Sequence, residues 1–286
     1  MTHNSRVEVI DTKTGKVIGA VTGLKSTHGV ALNPDGTTGY ISDGAGNAVV
    51  FFDRQTLSAL ATVQVGTNPD GIAFEPITKT VWAFNGRSKD VSVLDTQSKA
   101  VVATIVLPGK PEFPQVDDHG SVFVNIEDKN EIVKLDGASK KAVAAWPLEG
   151  CESPSGMAID RAQHRLFSVC DGGKMAVLDY QTGKMLGVAA IGDSPDAAGF
   201  DPKYKLAFSS NGGDGTLTIV DASRAGFPVS QTLKTAEGAR TMAFDASTGH
   251  IYLVTAKFVT APGADATAAR RPSILPDTLE ILVVER

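Results

Sequence analysis

The chain has 286 residues, of which 42% are hydrophobic and 21% are charged, and its formal net charge is -5. This composition is typical of a globular protein, and the acidic balance argues against nucleic acid or an anionic membrane as the main partner, since both require a basic surface. No apolar run approaches the roughly 18 to 20 residues of a membrane helix, and residues 1–6 lack the apolar core of a signal peptide.

A β-branched segment that ends in aspartate recurs about every 42 residues, beginning with Val7-Glu-Val-Ile-Asp11 and Val49-Val-Phe-Phe-Asp53. The repeated residues are Asp11, Asp53, Asp95, Asp136, Asp179 and Asp221, and residues 279–284 form a last copy. Each aspartate is interpreted as a turn former, because its carboxylate can accept hydrogen bonds from nearby backbone amides.

Three further strands complete each repeat. Segments such as Gly71-Ile-Ala-Phe-Glu-Pro76 and Val81-Trp-Ala-Phe-Asn85 precede the aspartate strand, and segments such as Val101-Val-Ala-Thr-Ile105 follow it. Four strands per 40-odd residues are the signature of a propeller blade, here called strands A to D from the axis to the rim. The sequence therefore predicts an all-β, β-propeller fold as a single domain over residues 1–286.

The number of blades follows from counting the strands. Strands A and B each occur six times and strand C seven times, which predicts a seven-bladed architecture with four-stranded blades and an incomplete first blade. We therefore expect the chain to be a form shortened at its N-terminus. The alternative is a six-bladed ring in which residues 17–21 supply the rim strand of the last blade.

The repeat resembles the YVTN family of β-propellers, and within it the bacterial YncE-like proteins. The resemblance is carried by Pro-Asp-Gly-Ile-Ala-Phe at 69–74, the strand that ends at Asn85, and Val-Ser-Val-Leu-Asp-Thr at 91–96. It covers nearly the whole chain and implies a seven-bladed protein that is exported to the periplasm or secreted. It does not imply a specific function, because one fold hosts many functions.

Polar residues recur where strand A begins and where strand B ends, and the topology of a blade brings both points to one mouth of the channel. The first set is His28, Asp70, Glu112, Ser155, Asp196 and Arg240, and the second is Asp43, Asn85, Asn125, Cys170, Asn211 and Thr255. Mixed charges in a concave site favour a ligand-binding site. The alternative is that these residues line a wet channel and fix the strand ends.

The loop between strands B and C of the last full repeat is expanded over residues 256–278. Loops of this length without secondary structure are either functional or disordered. The topology predicts that it covers the same mouth, where Arg270 and Arg271 would contact an anionic ligand. The alternative is a mobile surface loop.

Cys151 and Cys170 flank one predicted A–B hairpin, 19 residues apart. In an oxidising compartment this spacing favours a disulfide, which the chain-entropy model values at about 3 kcal/mol. A buried pair of thiols is the alternative, and a two-thiolate metal site lacks the usual spacing of further ligands.

The sequence contains no hydrolase, nucleotide or zinc-protease motif, so we expect a non-catalytic ligand-binding or scaffold propeller without a cofactor. Its partner would be an unknown small molecule or protein at the channel mouth. The alternative is a metal-dependent hydrolase of the lactone type that holds calcium or zinc. Propeller lactonases use Glu, Asn and Asp ligands, and the candidates here are Glu112, Asn125, Asp196 and Asn211.

Overall fold

A computed structural model describes residues 5–259, 273–275 and 278–285 of the chain. Within these residues the regular structure is almost entirely antiparallel β-sheet, and sequential strands pair as neighbours. Five sheets have four strands each, in chain order from the inner strand to the rim.

Blade I contains β3 (Thr27–Leu32), β4 (Thr38–Asp43), β5 (Ala48–Asp53) and β6 (Ala59–Gln64). Blade II contains β7 (Pro69–Glu75), β8 (Thr80–Asn85), β9 (Asp90–Asp95) and β10 (Ala100–Val106). Blade III contains β11 (Pro111–Val116), β12 (Ser121–Ile126), β13 (Glu131–Asp136) and β14 (Lys141–Pro147).

The remaining sheets continue the same order around the ring. Blade IV contains β15 (Glu152–Asp160), β16 (Arg165–Asp171), β17 (Lys174–Asp179) and β18 (Lys184–Ala190). Blade V contains β19 (Pro195–Asp201), β20 (Leu206–Asn211), β21 (Thr216–Asp221) and β22 (Val229–Lys234). Blade VI has three strands, β23 (Thr241–Asp245), β24 (His250–Thr255) and β27 (Glu280–Val284). Two hairpins stand apart from these sheets, β1 (Val7–Asp11) with β2 (Lys16–Val21) and β25 (Phe258–Val259) with β26 (Ser273–Ile274). Two 3-10 turns, Gly44–Gly46 and Glu127–Lys129, follow β4 and β12.

The apolar core is divided into clusters that lie between neighbouring blades. In blades I to V the second and third strands are mostly buried on both faces, as in β8, where residues 81–84 are fully inaccessible. Trp82 and Phe84 of this strand pack with Val122 and Val124 of blade III. Because each blade is buried only by its neighbours, the ring order is what creates the core.

The aspartate that ends each third strand is a turn former, as the sequence predicted. The Asp53 carboxylate accepts the backbone N–H groups of Gln55 at 2.9 Å and Thr56 at 2.7 Å. The same pattern recurs at the other repeats, for example at Asp95 with Ser98. These hydrogen bonds lower the pKa of both carboxyl groups.

The described residues form six blades, the number that the sequence allowed as the alternative to seven. The hairpin β1–β2 is a separate two-stranded sheet, and Val21 at its end and Leu24 just after it pack against Ile41, Val50 and Phe52 of blade I. The rim-strand arrangement proposed for a six-bladed ring is not observed, because β2 pairs with β1, while β27 pairs with β24 within the described residues.

No helix among the described residues is long and apolar enough to cross a membrane.

Candidate functional site

In blades I to V the first strand is irregular where it begins. The register between the first two strands shifts between Thr27 and Val30 in blade I and between Pro69 and Ile72 in blade II. Corresponding shifts occur in blades III to V, across Glu112, Ser155 and Asp196. Bulges of this kind redirect side chains and are common next to active sites. The residues that the sequence singled out before strand A therefore lie, in five blades, within bulged segments of the strand itself.

One arc of these residues joins blades I to III. The His28 Nδ1 atom lies 3.1 Å from Asp70 Oδ1, and the imidazole is 7% exposed while the Asp70 side chain is 34% exposed. The Asp70 carboxylate acts electrostatically on Glu112 of the next blade. Glu112 forms an ion pair with Lys110 at 2.6 Å, and Lys110 also contacts Glu127.

The Glu112 carboxyl group has a perturbed acidity. Burial raises the pKa of Glu112 to about 7, the Lys110 ammonium opposes this shift, and the charges of Asp70 and Glu127 add to it. The Lys110 pKa lies well above its usual range, because the hydrogen bonds and charges of the two glutamates outweigh its own burial. Glu112 is therefore the residue of this arc whose carboxyl group titrates near neutral pH.

A second arc joins blades IV to VI. The Arg240 Nε atom lies 3.3 Å from Asp196 Oδ2, and both side chains are partly exposed. The Ser155 hydroxyl donates to the Pro195 carbonyl oxygen at 3.2 Å. The starts of the first strands are therefore in contact between blades I and II, blades IV and V, and blades V and VI.

The asparagines predicted for the same ring are placed differently. Asn85 Nδ2 donates to Asp90 and to Ser92 of its own blade, and Asn85 is fully buried. Asn211 Nδ2 donates in the same way to Thr216 and Thr218. These amides stabilise the hairpins between the second and third strands. Their surroundings therefore favour the alternative in which they fix the strand ends.

Asn125 occupies a different repeat position from the one that the sequence assigned. In the strand register Asn125 pairs with Ile132 and Ile126 pairs with Glu131, so Ile126 is the last paired residue of its strand and the counterpart of Asn85. Asn125 Nδ2 donates to the carbonyl oxygens of Ser155 and Gly156 in blade IV, at 2.9 and 3.3 Å. It is therefore a buried connection between two blades.

The same repeat position serves this purpose elsewhere in the ring. The Ser42 hydroxyl donates to the Asp70 carbonyl oxygen at 2.6 Å, and the Ser210 hydroxyl donates to the Arg240 carbonyl oxygen. A short polar side chain near the end of the second strand thus holds the bulged start of the next blade's first strand.

The residues do not fit the alternative metal site. The amide oxygen of Asn125 accepts the Ser168 hydroxyl at 2.9 Å, and that of Asn211 accepts the Ser209 hydroxyl at 2.7 Å. Glu112 is paired with Lys110. It lies in blade III, two blades away from Asp196 in blade V. Within the described ranges, no group of three or more His, Cys, Asp and Glu side chains could hold a metal ion.

Most of the 256–278 insertion, including Arg270 and Arg271, lies outside the described residues. The part that is described begins as a short antiparallel ribbon in which Phe258 pairs with Ile274 and Val259 with Ser273. The pairing of β25 with β26 was not expected, because the sequence predicted a loop without secondary structure.

Cys151 and Cys170 form a disulfide with a Cα–Cα distance of 5.4 Å. Both residues are buried in the cluster between blades III and IV. The bridge joins the start of the first strand of blade IV to its second strand, at the same end of the blade as Ser155.

Sequence reasoning missed a polar cavity of about 380 Å³ between blades I and II. It is built from the starts of the first strands and the loops between second and third strands, and it is lined by Ser26, His28, Gly44, Ala45, Asn47, Thr67, Asn68 and Arg87. The predicted topology places these loops at the charged mouth. The basic residue Arg87 in one of them was the sequence signal that could have indicated this cavity.

Comparison with known proteins supports the fold alone. No family model matches the chain, and no curated protein matches it. Among solved structures, the chain is similar to hydrazine synthase of Kuenenia stuttgartiensis, with a TM-score of 0.57 and 16% sequence identity. The match covers 78% of this chain and 91% of that chain. At this identity the likeness extends to the β-propeller architecture and no further.

Proposed function

We propose that this chain is a non-catalytic ligand-binding propeller of the YncE-like type, which takes up a small molecule at the mouth where the first strands begin. The observation that carries the proposal is the pair of side-chain contacts between neighbouring blades at the starts of the first strands, His28 with Asp70 and Asp196 with Arg240. The Asp70, Asp196 and Arg240 side chains are partly exposed, and polar groups held by rigid strands at a concave opening are suited to binding.

The family and the location belong to the same proposal. The motifs at 69–74 and 91–96 support a YVTN-type repeat. The Cys151–Cys170 disulfide supports an oxidising compartment such as the periplasm, because disulfides persist there and are rare in the cytosol.

The test is a ligand screen by thermal unfolding, with gluconate, glucose, spermidine and the chlorides of calcium, zinc and manganese as probes. At least one organic probe should raise the Tm of the wild-type protein, since a ligand stabilises the state that binds it. The effect should be reduced in Asp70→Asn or in the double variant Asp196→Asn/Arg240→Gln. It should persist in Lys99→Gln, an exposed residue in the turn between β9 and β10.

Two results would contradict the proposal. Metal-dependent hydrolysis of a lactone by the wild-type protein would favour the hydrolase. A screen in which no organic probe changes the Tm, or in which the mouth variants respond like the wild type, would argue against ligand binding at this mouth.

A further inference from the structure

We infer that the cavity between blades I and II binds a small organic anion that carries hydroxyl groups, of the size of a sugar acid. The inference rests on the proposed function and names its ligand class, because the cavity opens at the same mouth. Its volume of about 380 Å³ lies in the range of small-molecule sites.

The cavity is rigidly built. The Asp43 carboxylate accepts the backbone N–H groups of Lys25 and Ser26, and the Gly44 N–H donates to the Ser26 carbonyl oxygen at 2.7 Å. Between the two blades, the Asn47 side chain of blade I accepts the Asn68 N–H of blade II at 2.9 Å. Blades I and II are therefore connected directly at the cavity, which keeps its shape without a ligand.

The wall of the cavity that blade II supplies is held in place by the loop between β8 and β9, which carries Arg87. The Arg87 N–H donates to the Thr67 carbonyl oxygen at 3.2 Å, and the Thr67 N–H donates to the Ser88 hydroxyl at 2.9 Å. The Gly86 N–H donates to the Asn68 carbonyl oxygen at 2.9 Å. These bonds position the base of the Arg87 side chain beside the opening.

The arginine in the lining favours an anion, while the nearby carboxylates of Asp43 and Asp70 are already bonded to backbone N–H groups and paired with His28, respectively. None of the eight lining residues is acidic, whereas Arg87 is a permanent cation. Arg6, Arg161 and Arg240 form ion pairs with carboxylates, but Arg87 forms none within the described part of the chain. A guanidinium that is exposed and without a carboxylate partner can bind a ligand carboxylate through two parallel hydrogen bonds.

His28 supplies the orientation of the ligand. Its Nδ1 atom faces Asp70 at 3.1 Å, which fixes the plane of the ring. The opposite edge faces Gly44, since a Cβ atom placed on Gly44 would lie 2.6 Å from His28 Nε2 and 3.1 Å from Asn68 Oδ1. A Cβ atom at this position would displace the His28 ring from its place in the lining. Together with the hydroxyl group of Thr67, the His28 and Asn68 side chains can bind the hydroxyl groups of the ligand.

The experiment measures gluconate and glucose binding by saturation-transfer NMR and calorimetry on the full chain. Gluconate should bind and glucose, which lacks the carboxylate, should bind at least about tenfold more weakly, as expected for the loss of a charge-assisted hydrogen bond. Arg87→Gln should reduce gluconate affinity by a similar factor, and Gly44→Ala should reduce it without changing any charge. Arg54→Gln is the matched control, because Arg54 lies in the turn after β5, at the opposite end of blade I.

The outcomes separate this inference from the proposed function. If Arg240→Gln abolishes gluconate binding and Arg87→Gln does not, the ligand lies on the other arc, and the inference is wrong while the proposed function stands. Equal affinity for gluconate and glucose, or binding of spermidine alone, also overturns the anion assignment. Circular dichroism and the Tm of each variant identify any loss that arises from unfolding. Arg87, which is exposed, tests the site even if the Gly44 variant is unstable.

Discussion

Replacing Glu112 by glutamine should remove a large part of the pH dependence of stability. The Glu112 pKa is about 7 in the folded protein against an ordinary value of 4.5. Between these values the native state holds a proton that the unfolded chain has lost, so the free energy of unfolding falls as the pH rises. At about 1.4 kcal/mol per pKa unit, the loss contributed by Glu112 between pH 5 and pH 8 is about 2 to 3 kcal/mol.

The glutamine variant removes this term without creating an unpaired charge. Lys110 keeps its contact with Glu127, and the glutamine amide resembles the protonated carboxyl group that the native state favours. The variant and the wild type should therefore have similar stability at pH 5. At pH 8 the variant should be more stable by about 2 kcal/mol.

The assay is urea unfolding at pH 5, 6, 7 and 8, followed by the fluorescence of Trp82 and Trp146. Glu152→Gln is the control, because Glu152 is an exposed carboxylate at the start of the next blade's first strand. If the difference in unfolding free energy between Glu112→Gln and the wild type is the same at pH 5 and pH 8, the raised pKa of Glu112 is wrong. A stability gain in the wild type as the pH rises over this interval would refute it as well, provided the Glu152 variant does not share the trend.

Three further predictions concern the connections between and within blades. Asn125→Ala should lower the free energy of unfolding by about 1 to 3 kcal/mol in urea titrations, because a buried and a partly buried carbonyl oxygen lose their donor. Gln97→Ala, at an exposed residue, should have no measurable effect. Reducing the Cys151–Cys170 disulfide, or replacing both residues by serine, should cost about 3 kcal/mol and lower the Tm; an unchanged Tm would mean that the bridge does not form. Gly156→Ala should destabilise by about 1 to 3 kcal/mol in the same titrations, since its Cβ atom would lie 2.5 Å from a backbone oxygen of blade V. A neutral result would contradict the observed spacing of the two blades.

The repeat could be recognised from the sequence because a blade is specified locally. The period of about 42 residues and the aspartate after each third strand are properties of neighbouring residues. The carboxylate of Asp53 bonds to amides two and three residues away, so the local sequence alone is enough to predict the turn. The positions of His28, Asp70 and Asp196 at one end of their blades followed from the alternation of strand direction.

The details of the site depended on contacts between repeats, which no single repeat encodes. A one-residue change of register turns a side chain to the other face of a sheet, and this is why Asn125 connects two blades where Asn85 holds its own hairpin. The cavity beside Arg87 arises only where two blades meet. Sequence therefore determined the strand pattern and the end of each blade that carries charge, while tertiary packing decided which of those polar groups are buried in the framework and which line the opening.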